Sequence, residues 1–548
     1  MANNKKSGRA KSILISLLVT FVFGFVYFYV TLPALHPQAQ EFWAFLILLI
    51  LVFTGCSLLT SGSQIEDVKD IGRVLKAKCK IPVILLIVIV VVTIAGAVFS
   101  MPVFHSKAYY ELLDVQTGDF GEDVAEISYN KIPMLDKDSS VQLGRRALGS
   151  ISENSNLVSQ FEVADNQYSQ INVQNEPVRV APLMYGNLIK WLNNRSEGLP
   201  GYIQVNMVTQ EADLIRLDEG MKYSTDEHFS RNVYRHLRFQ YPTMMFGDVN
   251  FEIDEEGTPW WVCSRVVKRI GLFGGTDIKG AVLMNAITGE CTYHEEVPSW
   301  VDRVYDADTL VQQYNYHGTL VNGWVNSWLG QKGITTTTEG YNYIAMNDDV
   351  YLYTGVTSAG GDDSNVGFIL VNQRTKDARF YKISGATERS AMSSAQGAVQ
   401  HLNYSSTFPI LLNISDQPTY FMALKDSAQL VKMYAMVNVA DYQITATGNS
   451  VAQCQANYEA LLQDNGYEVT APVEEPDEGD ETAEGTIAEI RSAVINGNTV
   501  FYFNLGDDKF YAISASECPE AMIFNAGDSV KITYHTGEGQ ILNGTKVE

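Results

Sequence analysis

The sequence predicts a membrane-anchored α+β protein: three N-terminal transmembrane helices, repeated helix-plus-antiparallel-sheet modules and a C-terminal small β-barrel. Three observations predict it. Apolar runs at 13–32, 42–59 and 81–99 contain no Asp, Glu, Lys, Arg or His, and each is about as long as a helix must be to cross a bilayer. One amphipathic helix followed by short alternating strands occurs at 216–305 and again, more weakly, at 385–466. Five short strands separated by turns such as Asn496-Gly497 and Gly506-Asp507 close the chain at 486–548.

Residues 1–103 read as the anchor. Lys5, Lys6, Arg9 and Lys11 precede the first run, and Lys69, Arg73, Lys76, Lys78 and Lys80 precede the third. The link at 33–41 has neither Lys nor Arg. Basic segments stay cytoplasmic, so the N-terminus is expected inside and everything beyond about Met101 outside. The expected localisation is the plasma membrane, multi-pass, with a large extracytoplasmic C-terminal region. A cleaved signal peptide competes for the first run. Its length, its bulky end and the second run close behind disfavour that reading. Spans without ionisable groups suit an anchor or assembly surface rather than an ion path, and Ala95, Gly96 and Ala97 would let another helix approach closely.

Charge narrows the partners. Nine of the 39 Lys/Arg and four of the 63 Asp/Glu lie in 1–103, leaving 30 basic and 59 acidic residues beyond. That sign is wrong for nucleic acid and argues against a domain spread over anionic lipid. Cys263, Cys291, Cys454 and Cys518 fall beyond the spans, too widely spaced for a small disulfide scaffold. Cys263 and Cys291, in neighbouring predicted strands, are a candidate pair, which requires Cα atoms within about 7 Å.

Further elements follow in order. Residues 104–160 form a connector with short helices. Residues 161–215 form a small β-rich domain, with a hairpin turning at Asn175-Glu176 and Ile203, Val205 and Met207 on one strand face. In 216–305 a helix over 226–239, capped by Asp226 and striped by Phe229, Val233 and Leu237, leads into four strands. Residues 306–384 hold a helical pair and a small sheet; Leu320, Trp324 and Trp328 are expected in the core. In 385–466 the helix-and-strands pattern returns, with Thr447-Gly448 matched to Thr288-Gly289. The stretch 467–485 is acidic and expected to be a disordered linker, and 486–548 is the small barrel, of OB or SH3-like kind.

Catalytic patterns are missing. His294-Glu295 is followed by Glu296, Val297 and Pro298, not by a second zinc-ligating His. The glycine-rich stretch 271–280 joins two strands and reads as a hairpin corner, since a phosphate loop opens a helix. His228 and His236 stand about 12 Å apart along a helix, too far for one metal. The acidic turns at 254–256, 348–349 and 362–363 lack calcium-loop spacing. The chain is expected to be no enzyme and to use no cofactor or metal. The candidate binding surface is Trp260, Trp261, Tyr293, His294 and Glu295. Two rivals stay open: a hydrolase built from carboxylates around those residues, and a structural subunit recruited through its helices.

The segments FEIDEEGTPWWVCSRV and GAVLMNAITGE resemble the PepSY and cystatin-like modules of bacterial envelopes. Gly257, Pro259, Trp260, Asn285, Thr288, Gly289 and Glu290 take the places of the family pattern. Asn285 stands near where an Asp is usual, and the second copy lacks the Glu. The resemblance implies binding without catalysis, often regulation of a protease or envelope enzyme. The expected partners are therefore an envelope or membrane protein and the bilayer, not nucleic acid.

Overall fold

The structure is a computed structural model that describes residues 2–60, 80–126, 132–150, 155–346, 348–358, 364–469, 480–495, 498–507, 509–515, 518–535 and 540–547. The acidic turn at 362–363, the Asn496-Gly497 turn and most of the acidic linker lie outside them. The chain forms two compact units, Met1–Asp119 with Leu135–Thr387, and Phe120–Met134 with Glu388–Glu548.

In the first unit, α1 (Ala2–Thr31), α2 (Gln40–Leu59) and α3 (Lys80–Phe99) are long helices, and each is long and apolar enough to cross a membrane. Helices α1 and α2 approach closely because Gly24 has no side chain: a Cβ there would stand 2.8 Å from Leu49. Tyr27 stacks on Phe45 beside it, ring centroids 5.5 Å apart. Leu32, in the left-handed region at φ 52°, followed by Pro33, stops α1.

The expected connector is built into the fold. Helix α4 (Pro102–Tyr110) leads to β1 (Val115–Thr117), which runs parallel along a strand at 378–381. Helix α5 (Lys137–Ser150) packs its small residues Ser140 and Gly144 on the next sheet, with Gly144 against Tyr168. That sheet comprises β2 (Phe161–Val163), β3 (Ser169–Val173), β4 (Glu176–Tyr185), β5 (Leu199–Asn206) and β6 (Ala212–Met221), with α6 (Leu188–Asn194) between β4 and β5. Its order is β2-β4-β5-β6, with β3 also on β4. The hairpin turns on Gln174 and Asn175, both at positive φ, one residue earlier than expected.

The expected helix over 226–239 is shorter. Helix α7 covers Val233–Gln240, and Asn232, not Asp226, caps it by accepting from Arg235 N. Asp226 accepts from Tyr185 N instead. Val233 and Leu237 are buried, but Phe229 sits on a left-handed turn and faces outward. A four-stranded antiparallel meander follows: β7 (Met245–Ile253), β8 (Pro259–Ile270), β9 (Gly274–Asn285) and β10 (Cys291–His294). Cys263 and Cys291 are both free. They sit on β8 and β10 with β9 between, and two strand spacings of about 4.8 Å exceed the reach of a disulfide.

Helix α8 (Ala307–Thr319) precedes the third sheet, β11 (Thr335–Thr337), β12 (Asn342–Met346), β13 (Asp349–Ser358), β14 (Ser364–Asn372), β15 (Ala378–Tyr381) and β16 (Gly385–Ala386). The second expected helix there is only a turn at Gly323–Val325 with a π-turn behind it. Leu320 is buried, but Trp324 and Trp328 are 39% and 70% exposed. Gly323, at φ 82°, breaks the four-residue spacing that would have stacked them inward.

In the second unit, α9 (Glu388–Ala398) leads to β17 (Ser405–Ser406), β18 (Ile410–Ile414), β19 (Gln417–Lys425), β20 (Val431–Asn438) and β21 (Thr445–Gly448), covered by α10 (Val451–Asp464). Thr447-Gly448 is strand, paired with Ala435 and Tyr434. It is therefore not the counterpart of the Thr288-Gly289 turn. Six strands end the chain: β22 (Asp480–Thr486), β23 (Glu489–Ile495), β24 (Asn498–Asn504), β25 (Phe510–Ser514), β26 (Ser529–His535) and β27 (Ile541–Val547), in the order β22-β26-β27-β25-β24-β23. The end of the expected linker is thus a strand. Register with β26 orders this acidic segment, and Glu484 meets Lys531 at 3.3 Å.

One hairpin recurs in the three sheets of the first unit. Asn206, Asn285 and Asn372 each end a strand and accept through Oδ1 from the backbone N–H groups two and three residues on, at 2.8–3.0 Å. A Thr hydroxyl at the fourth position accepts the sixth residue's N–H in each. The fifth residue, Gln210, Gly289 or Lys376, is left-handed. Asn438 makes a one-residue-longer version in the second unit, bonded to Asp441 N. The Asn side chain replaces backbone partners that the turn cannot supply.

Asn206→Ala and Asn285→Ala are each expected to cost about 1–2 kcal/mol. Asn372→Ala should cost about 2–3 kcal/mol, because its Nδ2 also donates to the buried Asp349 that pairs with Arg374. Denaturant unfolding of the full chain in detergent measures this. A loss at Asn372 no larger than at Asn285 contradicts the assignment.

Candidate functional site: the seat at the ends of the spans

The five residues expected to form a binding surface do not share one. Successive strand residues point to opposite faces, so Trp260 and His294 lie on one face of the β7–β10 sheet and Trp261 and Tyr293 on the other. Trp261 is fully buried, packs on Phe251 and donates to Tyr223 O at 2.9 Å. Trp260 faces the other way, donates to Asp254 at 2.9 Å and lies against Trp300. Tyr293 donates to Lys279 O at 2.7 Å, with the Arg265 guanidinium over its ring. Glu295 is exposed and pairs with Lys279 at 3.2 Å. His294 lies opposite Ala281, four β9 residues from the Asn285 that faces Trp260, or roughly 13 Å.

A different cluster draws polar chemistry together, at the ends of α1 and α3 next to the sheets. A helix leaves its last carbonyls without partners, and in an apolar medium each costs several kcal/mol. Arg235 and Arg238, one turn apart on α7, meet that need for α1. Arg235 Nε donates to Tyr29 O at 3.2 Å, and its guanidinium lies 4.4 Å over the Tyr29 ring. Arg238 Nε donates to Leu32 O at 2.9 Å, and its Nη1 to Met244 O. Burial holds the Arg238 guanidinium below its ordinary value, with Glu41 opposing. Phe239 packs edge-on against Phe28 and Tyr29.

Ser100 does the same work for α3. Its Oγ donates to Gly96 O at 2.6 Å and accepts from Leu272 N and Phe273 N at 2.9 and 3.1 Å. Tyr109 donates to Ser100 O at 2.6 Å. The glycine-rich stretch is therefore a hairpin corner between β8 and β9, seated on the end of α3. Gly274 admits Ser100 and Tyr109, and Gly96 faces Leu272 rather than another helix. The α1–α2 link is tied down as well, Leu35 N to Pro242 O at 2.8 Å and Gln38 to Lys268 O at 2.9 Å.

Beside this seat lies a pocket of about 450 Å³. Tyr29 of α1 forms one wall, and Leu188, Trp191 and Leu192 of α6 form another. His228, Phe229, Arg195 and Arg235 complete it. Trp191 is fixed from behind: the buried Glu227 accepts from its indole at 2.7 Å and from the Tyr185 hydroxyl at 2.8 Å. Burial and that carboxylate push the Tyr185 phenol well up.

Farther from the spans, an acid pair joins two sheets. Glu252 of β7 accepts from Asp302 N and Arg303 N at 2.9 and 3.1 Å, and Asp302 accepts from Asn172 N of β3 at 2.6 Å. Both carboxyls are buried. Burial pushes both above the carboxylate range, and the charge of Glu252 raises Asp302 further.

Sequence reasoning missed Ser100, Arg235, Arg238, Trp191 and Phe229. The usable signals were two Arg one turn apart beside Phe239, and the aromatic run Tyr27-Phe28-Tyr29 ending the first span, a typical interface belt.

No family model matches this chain, and no curated protein matches it. Among solved structures it is similar to levansucrases. One with sucrose bound shares 9% identity, covering 77% of this chain and 96% of that one, at a TM-score of 0.19. A Bacillus subtilis levansucrase variant shares 8% over 77% and 96%, at 0.19. A B. megaterium variant shares 10% over 77% and 97%, at 0.17.

Ser100→Ala strands the N–H groups of Leu272 and Phe273 and is expected to cost about 1–3 kcal/mol. Hydrogen exchange should rise at those two amides first; unchanged protection there would sink the clamp. The acid pair sets a pH dependence. A carboxyl raised in the folded state contributes stability that is complete below its ordinary value, 4.5 for Glu252, and lost as pH rises through the raised value. Relative to wild type, Glu252→Gln should therefore gain stability between pH 4.5 and about 7 and then level off; a parallel pair of stability–pH curves contradicts this.

Proposed function

We propose that the chain is a multi-pass bacterial plasma-membrane protein whose large C-terminal region is extracytoplasmic and binds or regulates an envelope protein, such as a protease or cell-wall enzyme. One observation carries this reading. Helix α7 is bonded directly to the end of α1 through Arg235 and Arg238, and the β8–β9 corner to the end of α3 through Ser100. A docking domain held this way presents its sheets at a fixed place on the membrane. The orientation is supported by the basic residues before the first and third spans and by the uncharged-by-Lys/Arg link between the first two.

The finer architecture follows the same reading. We take α7 with β7–β10 and α9 with β18–β21 as copies of one PepSY/cystatin-like module, supported by their shared order of helix and meander. The Asn-centred hairpins extend that pattern to β5–β6 and β14–β15. Residues 480–547 fit an OB-type small barrel. Strands β22 and β23 are two residues apart in sequence yet stand at opposite ends of the sheet order, and β25 pairs with β27 in parallel. One bent strand shared by both ends closes such a barrel.

Two measurements test the proposal. Protease added to intact spheroplasts should remove the C-terminal region while an N-terminal tag survives; protection of the C-terminal region until lysis overturns the orientation. Replacing the three spans with an unrelated anchor should leave capture of the partner by in-cell crosslinking unchanged. Loss of that partner would make the helices the binding element and the chain a structural subunit.

A further inference from the structure

The pocket beside the seat has three properties that an internal packing defect lacks. First, its rim is apolar and open. Leu188, Leu192 and Phe229 are 58%, 51% and 62% exposed, although ordinary folding would turn such side chains inward. Second, Phe229 is held there against its backbone preference, at φ 53°, a region a bulky residue rarely adopts. Its carbonyl is fixed in that pose by Arg235 Nη1 at 2.7 Å. Third, the cations gather at the mouth. Arg195 stacks on Trp191, Arg231 donates to Arg195 O, and Arg235 lies over Tyr29. The Glu227 carboxylate is buried behind Trp191 and already engaged. Asp226 is engaged with Tyr185 N.

The depth of the site decides the occupant. Tyr29 lies two residues before the last residue of α1, about 3 Å along its axis. The pocket is therefore continuous with the surface that α1 presents to lipid, at the level where headgroups meet acyl chains. An apolar rim there meets chains, and guanidinia there meet phosphates, which they bind with paired charge-assisted hydrogen bonds.

We propose that this pocket seats one anionic phospholipid of the adjacent leaflet, its phosphate between Arg195 and Arg235 and one acyl chain along Leu188, Leu192 and Phe229. The acidity of the domain as a whole does not oppose this, since charges beyond about 10 Å are screened. The site depends on α1 being in a membrane, not on which side the sheets face. It therefore stands apart from the orientation and partner reading above.

The test uses the full chain in mixed micelles containing phosphatidylglycerol and phosphatidylcholine, with bound lipid read by native mass spectrometry. Wild type should retain one phosphatidylglycerol per chain in preference to phosphatidylcholine. Arg195→Gln, at an exposed position that leaves the α1 contacts intact, should weaken that retention about tenfold with little change for phosphatidylcholine. Leu188→Asn with Leu192→Asn should remove retention of both lipids. Equal retention by wild type and the leucine variant overturns the proposal, as does equal preference for the two lipids. A dimer that forms through these residues and disappears in the leucine variant also overturns it, because the occupant is then a second copy of the chain.

Discussion

The carbonyls that end a membrane helix set the terms for everything attached to it. Tyr29, in the last turn of α1, and Leu32, just past its end, have carbonyls that no later helical N–H reaches. Arg235 and Arg238 take them. The guanidinium suits this task because it stays charged and offers several donors in a fixed plane. The negative end of the α1 dipole adds to the attraction. At α3 the solution is a single hydroxyl, Ser100, which closes on its own helix and accepts two amides of a hairpin tip. Both solutions place α7 and the β8–β9 corner at fixed positions, and the meander between them inherits its placement.

From that base, the sheets are organised by side chains that stand in for backbone. The Asn of each recurring hairpin accepts two amides in a six-residue turn, so each strand pair keeps its register without a tight two-residue connection. The acid pair works similarly at larger scale. Glu252 gathers the amides of residues 302 and 303 while Asp302 reaches Asn172. A hydrophobic contact has no direction, whereas these bonds fix where one sheet meets the next.

The three spans were plain in the sequence because bilayer thickness imposes a length and an apolar composition that little else mimics. The β7–β10 meander was legible for a related reason: turn residues and alternation are local signals. What sequence could not show was where both faces of a strand are covered. Trp260 and Trp261 read as a surface pair, yet one is core under Tyr223 and the other packs on Trp300. Trp324 and Trp328 erred the other way. Their spacing suggests a buried stripe, but a left-handed Gly323 breaks the helix before the stripe forms. The strand at 480–486 was hidden by its acidity, since its order comes from β26, almost fifty residues on. The seat was least legible of all. It joins residues about two hundred positions apart, and each of its members, taken alone, is an ordinary Arg or Ser.

Charge distribution ties these parts together. A region with 59 acidic and 30 basic residues would be repelled by an anionic leaflet if its charges were spread evenly. They are not: Arg195, Arg231, Arg235 and Arg238 stand within one stretch of sequence beside the end of α1. The cations are thus used where helix ends and lipid phosphates need donors. Such a division lets the seat be held by short, partly buried contacts, which salt screens little. The same residues that end α1 correctly also fix how the domain meets the bilayer, so a change at Arg235 or Arg238 alters packing and membrane placement together.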